Sequence, residues 1–210
     1  MRSRQRCWSR PAAAKLCVVA VAAMVCLPVA CGEFPFQVGD SQRPIGSATK
    51  VIPATEPAAV LSNLVYCFDD QKSNLLIEQM TDDFTFVADP VDVAALEQTY
   101  PGIFNDWNLD VESQVTQYML DAGRCTFASL SLSNETLLEQ PTDTTYAGQL
   151  DYGIALLLDS DSQTYMGQAR LYMRKLSSNL WRIYRWEDIR PQDAQFNTWG
   201  ILRGRIRATL

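Results

Sequence analysis

The stretch from Gln163 to Asp188, QTYMGQARLYMRKLSSNLWRIYRWED, narrows the possible folds more than any other part of the chain. In its first half Tyr165, Gly167, Ala169, Leu171 and Met173 alternate with Met166, Gln168, Arg170, Tyr172 and Arg174. In its second half Trp181, Ile183, Arg185 and Glu187 alternate with Leu180, Arg182, Tyr184 and Trp186. Alternation of period two, rich in aromatics and broken by the polar turn Leu176-Ser177-Ser178-Asn179, predicts a β-hairpin. One face of each strand is mainly apolar, and the other sets arginines beside rings. The hairpin therefore belongs to a curved sheet with a packed side and a mixed side. Trp181 and Trp186 have opposite parity, so only a bulge between them puts both on one face.

Cys125–Ser133 and Thr145–Leu158 read as further strands, with Asp159-Ser160-Asp161-Ser162 as a turn. Upstream the period changes. Thr55 reads as the cap of a helix with Pro57 in its first turn, where a missing N–H costs nothing. Leu61, Leu64, Val65 and Phe68 follow as one stripe. A short helix from Ser73-Asn74 to Met80, closed by Asp82-Asp83, comes next. Phe84–Ala88 is a strand stopped by Asp89-Pro90, because proline lacks the ladder donor and holds Asp89 extended. Val91–Leu96 forms a helical turn, and Asn108 caps a helix to Ala122 ended by Gly123. Helices first and long strands afterwards predict an α+β domain with helices on one sheet face.

The first 30 residues carry an address. Arg2, Arg4, Arg6, Arg10 and Lys15 precede an uncharged apolar run, Leu16–Ala30, shorter than the roughly 20 residues of a spanning helix. This is a secretory signal pattern. Leu27-Pro28-Val29-Ala30-Cys31-Gly32 resembles the lipobox of bacterial lipoproteins, with Pro28 standing where that pattern has leucine. The resemblance implies acylation (palmitate) of Cys31, a bilayer as partner and an envelope location. The absence of aspartate at position 32 leans towards the outer membrane. Residues 31–54, rich in Gly, Pro, Ser and Gln, read as a flexible tether, 55–205 as the domain and 206–210 as a tail.

Composition excludes several chemistries. There is no histidine, which removes Ser-His-Asp and Cys-His catalysis and every His-ligated metal site. Without residues 1–30 the chain has 13 basic and 24 acidic residues, a net charge of −11. That repels phosphate backbones, so nucleic acid is not an expected partner. No P-loop, GxGxxG or GxSxG motif occurs, and no cofactor is expected.

The order of elements resembles the nuclear transport factor 2-like superfamily, which includes ketosteroid isomerases and polyketide cyclases. The features that carry it are the amphipathic first helix, Asp82-Asp83-Phe84 opening the first strand, and the Leu180-Trp181-Arg182-Ile183 strand. A group of bacterial lipoproteins shares Asp89-Pro90, a W-x-I-x-x-W-x-D run (Trp181 to Asp188) and a late Trp199-Gly200. The resemblance implies a strongly bent antiparallel sheet wrapped around N-terminal helices, a cone-like, cystatin-like arrangement. It implies a cavity and often a homodimer formed through the sheet. The superfamily's isomerases use an aspartate base with tyrosine and aspartate donors, and that trio cannot be placed here.

The sequence leaves several alternatives. Phe84, Phe86, Tyr172, Trp181 and Trp186 line a pocket for a small apolar ligand, or they fill a core. Cys67 and Cys125 bridge, gaining about 4 kcal/mol in the entropic picture, or they stay buried thiols. Arg182 and Arg185 bind an acidic ligand or pair with Glu187 and Asp188 at the surface. Asp89 is an acid–base group or a strand stop. Arg203, Arg205 and Arg207 touch anionic lipid or form a solvated end. The leading functional expectation is a membrane-tethered, non-enzymatic binding or assembly domain. Second comes an isomerase, cyclase or lyase with a buried carboxylate, and third an inert spacer.

Overall fold

The computed structural model describes residues 50–192 and 195–210. The signal segment, Cys31 and the tether as far as residue 49 lie outside the described residues. The described residues form one compact unit. Its core is a curled but open five-stranded sheet in the order β1-β5-β4-β3-β2. The strands are β1 (Met80–Val87), β2 (Cys125–Leu137), β3 (Thr145–Leu158), β4 (Asp161–Lys175) and β5 (Trp181–Ile189). β2 to β5 are an antiparallel meander, and β1 adds to β5 in parallel. Asp159 and Ser160, with φ of 51° and 68°, turn β3 into β4, the two-residue hairpin whose twist suits flanking strands. Asn179, φ 67°, turns β4 into β5.

The expected hairpin is present, and its parity conflict is settled by a bulge. Tyr172 pairs with Arg185 but Met173 pairs with Ile183, so Tyr184 is an extra residue in β5. The bulge carries Trp181, Ile183, Trp186 and Asp188 together onto the inner face, all buried. Tyr172 lies between the fully buried Leu171 and Met173, and so points to the outer face. There its ring lies 6.2 Å from that of Tyr184. Tyr172 is therefore not part of an inner pocket lining, because a strand cannot turn three successive side chains to one face.

Among the described residues five helices flank the sheet: α1 (Pro57–Asp69), α2 (Ser73–Ile77), α3 (Pro90–Glu97), α4 (Leu109–Met119) and α5 (Trp199–Arg207). Pro57 opens α1, but its cap position is Glu56, which makes no side-chain cap bond. The expected Thr55 cap is displaced because the chain is already anchored upstream. Ile52 donates to Asn63 Oδ1 at 3.0 Å, Ala54 is buried, and Trp181 donates to the Ala54 carbonyl at 2.7 Å. The core stripe of α1 is Val60, Leu64, Cys67 and Phe68; Leu61 and Val65 sit on its flank. α2 ends at Ile77, and Asp82-Asp83 lie inside β1 rather than closing the helix.

Asn108 and Asp89 cap α4 and α3 through Val111 and Val91, so Asp89 is a capping residue that also accepts from Arg190 N. Cys67 and Cys125 are separate buried thiols. Cys125 Sγ donates to the Phe127 carbonyl at 3.1 Å, and Gln71 reaches across to the Cys125 carbonyl at 2.9 Å. Burial pushes the Cys67 thiol up to about 11. The C-terminus differs most from expectation. The predicted solvated end is α5, capped by Thr198 onto Ile201 N, with Trp199, Leu202, Arg203 and Ile206 buried.

Candidate functional site

α5 packs against the inner face of the curled sheet, its Trp199 ring against those of Tyr152 in β3 and Trp186 in β5. Two polar clusters hold the helix in place. In the first, the β5 bulge turns Asp188 inward at 3 % exposure. Its Oδ1 accepts the Tyr152 hydroxyl at 2.7 Å and its Oδ2 accepts Gly200 N–H at 2.6 Å. The same hydroxyl accepts Trp199 N–H at 2.7 Å. Beside them Asp92 of α3, fully buried, accepts Arg190 Nε at 2.8 Å and Nη2 at 2.6 Å, and the Thr198 hydroxyl. A Cβ at position 200 would sit 2.9 Å from Asp188 Oδ2 and 3.1 Å from Asp92 Oδ2. Only glycine lets the first turn of α5 approach both carboxylates. Free N–H groups at a helix start favour this placement of carboxylates.

The second cluster centres on Arg203, which is completely buried. Its Nε and Nη2 donate to Glu112 Oε1 of α4 at 3.1 and 2.7 Å, while Glu112 Oε2 accepts Trp107 Nε1 at 2.8 Å. The guanidinium carbon lies 4.3 Å from the Trp199 ring centre, 4.4 Å from Phe86 and 4.8 Å from Trp186. Planar, weakly hydrated arginine suits such an aromatic box. Trp186 and Trp199 meet edge to face at 4.7 Å. Trp186 Nε1, Trp199 Nε1 and Arg203 Nη1 find no hydrogen-bond acceptor among the described residues; the Arg203 guanidinium packs against the neighbouring rings.

Burial sets the electrostatics of the first cluster. It pushes the Asp188 carboxyl up to about 6, against the opposing pull of the Tyr152 hydroxyl and the Arg203 charge. Burial, helped by the Asp188 charge, also raises Tyr152 well above the ordinary phenol range, so it remains a donor. An aspartate with a raised pKa beside a tyrosine donor has the makings of an acid–base pair. In this structure both aspartate oxygens and the tyrosine hydroxyl are engaged with each other and with the α5 backbone.

Of the residues expected to line a pocket, Phe86 and Trp186 come together here, around Arg203. Phe84 and Trp181 are buried in the core, and Tyr172 is on the other face. Arg185 pairs with Glu187 at 2.7 Å on the outer face, as surface pairing required, but Asp188 takes no part in it. Sequence reasoning missed Asp92, Glu112, Tyr152, Thr198 and the buried role of Arg203. The signal was present in Thr198 followed by Trp199, Leu202, Arg203 and Ile206 at helical spacing. Among the described residues no group of three or more Cys, Asp or Glu could hold a metal ion, and no helix is long and apolar enough to cross a membrane.

No family model matches the sequence, and no curated protein matches it. Solved structures do. A scytalone dehydratase-like protein of Novosphingobium aromaticivorans aligns with TM-score 0.51 and 12 % identity over 67 % of this chain and 89 % of that one. A protein of unknown function from Mycobacterium tuberculosis gives 0.50 and 10 % over 72 % and 84 %. A nuclear transport factor 2-like superfamily protein of Salmonella enterica gives 0.46 and 12 % over 65 % and 89 %. At these identities the likeness is one of fold alone, an α+β domain built on a curled five-stranded sheet.

Proposed function

We propose that this chain, read as a nuclear transport factor 2-like domain, is a lipid-anchored protein of a bacterial envelope, with the outer membrane favoured, whose domain works by binding or assembly. The fold itself is neutral on this point, since it hosts enzymes and non-enzymes alike. The observation that carries the reading is the plugged cone. Trp199 and Arg203 of α5 fill the space against Phe86 and Trp186 on the inner face of the sheet, and Asp188, Asp92 and Glu112 accept from internal donors. The anchor rests on Leu27–Cys31. The mixed outer face with Arg170, Tyr172 and Arg174 is the surface through which two copies would pair.

Intact-mass analysis of protein from its own envelope in mild detergent tests the anchor: added mass on Cys31 is expected, and an unmodified chain overturns it. Tyr172→Asp is expected to convert a dimer to a monomer by light scattering, and an unchanged dimer removes the sheet as interface.

A second reading, an isomerase, cyclase or lyase, is favoured by Asp188 and Tyr152 alone. It requires α5 to leave the cone. Hydrogen exchange at the Trp199 and Gly200 amides separates the two. Protection equal to the most stable core amides fits a permanent plug, whereas opening far below the global unfolding free energy fits a gated active site.

A further inference from the structure

Outside the plugged cone, a depression of about 360 Å3 lies between α1 and the far ends of β2 and β3. Its apolar lining comes from Ala58, Leu61 and Val65 of α1 and from Leu132 and Leu150 of the sheet. Leu61 and Val65 are the half-buried members of the expected helical stripe, packed against the edge of the core. At the rim stands Glu135, and the fold goes to some length to hold it there. β2 gains one residue against β3 between Ser133 and Thr136. Asn134 takes a left-handed φ of 53° at that bulge, and its amide donates to Asp151 at 2.6 Å. The Tyr146 hydroxyl donates to Glu135 Oε1. Tyr146, 7 % exposed, reaches it by lying across Gly148, where any Cβ would collide with the phenol. Burial, aided by the Glu135 charge, pushes the phenol's pKa up, so its proton stays on that bond. Glu135 Oε2 makes no hydrogen bond among the described residues, and no Lys or Arg lines the depression.

We infer that this depression binds an amphipathic organic cation: a primary ammonium on an aliphatic chain. The trough removes the chain from water at about 25 cal/mol per Å2. The oriented carboxylate takes the ammonium in a charge-assisted hydrogen bond. A net charge of −11 beyond residue 30 draws cations and repels the corresponding anions. The site is independent of the lipid anchor, which the mass on Cys31 tests separately.

The test uses the full chain in nanodiscs of neutral lipid, with leucine and valine methyls labelled, titrated with hexylammonium, hexanol and hexanoate. Methyl shifts localised to Leu61, Val65, Leu132 and Leu150 report the groove and not the bilayer. Hexylammonium is expected to saturate these shifts at a concentration at least tenfold below that of hexanol, with hexanoate weaker still. Glu135→Gln is expected to bring hexylammonium to the level of hexanol. Ala58→Trp, at an exposed helix position, is expected to fill the trough and abolish the shifts from both. Equal binding of hexanol and hexylammonium, indifference to Glu135→Gln, or shifts that survive Ala58→Trp would each overturn the assignment.

Discussion

Glu187 and Asp188 are neighbours on β5, yet they occupy different media. Glu187 faces outward, 2.7 Å from Arg185 and 3.8 Å from Arg170, in a layer of charges and tyrosines open to solvent. Asp188 faces inward at 3 % exposure and is met by neutral donors, Tyr152 and the Gly200 amide. The same carboxylate chemistry thus does two jobs. Outside, water and salt weaken each pairing, and the charges mainly keep the face soluble. Inside, the low dielectric magnifies every mismatch, so each polar group matters for whether α5 stays in the cone. The Arg203–Glu112 pair is the extreme of the inner kind, with both side chains at most 1 % exposed.

Removing half of that pair is the most direct way to break the comparison. Arg203→Ala leaves Glu112 buried without its cation, and a loss of about 3–5 kcal/mol is expected in urea unfolding. Arg203→Met with Glu112→Leu should recover most of it, because the desolvation of both charges disappears together. A loss below about 1 kcal/mol for Arg203→Ala would show that the inner pair behaves like a surface one.

Asp188 predicts a pH dependence with a definite sign. Its folded pKa of about 6 lies above the ordinary 3.8, so between these values the folded state holds a proton that the unfolded state releases. Its contribution is fully present below about pH 4 and is lost as pH rises through 6, by about 3 kcal/mol in all. Thermal melts across pH 3 to 7 should show this fall, and Asp188→Asn should flatten that part of the curve. A wild-type curve whose Asp188-dependent part rises with pH would refute the assignment.

Gly200→Ala presses a methyl group between Asp188 and Asp92 and should cost about 1–3 kcal/mol, read from the same melts. Outside, Arg185→Ala should change stability by no more than about 1 kcal/mol, and less in high salt. A larger effect there would erase the distinction between the two faces.

Much of the sheet was legible because strands announce themselves locally. Thr145–Leu158 was bounded correctly from its alternation, and the conflict between Trp181 and Trp186 pointed to the bulge. The Asn108 cap was legible too, since a cap is a contact between near neighbours; Asp89 read as a strand stop proved to be a cap, and the Thr55 cap did not form. Arg203 was not. Three arginines in nine residues look like a solvated end, and burying one takes a glutamate 91 residues away and rings from β1, β5 and α5. Cys67 and Cys125 posed the same difficulty: whether two buried sulfurs bond depends on separation and direction, which spacing does not report.

The chain by itself determined period, breaks and charge: helices before strands, the hairpin, the turns, the acidic body and the signal-like start. These follow from backbone sterics and from which side chains tolerate water, both local properties. Tertiary structure alone decided that α5 fills the cone, that Asp188 turns inward while Glu187 does not, and that Leu61 and Val65 are left to line a groove. Those outcomes depend on which distant surfaces meet, and the energy that selects them exists only once water has been excluded between them.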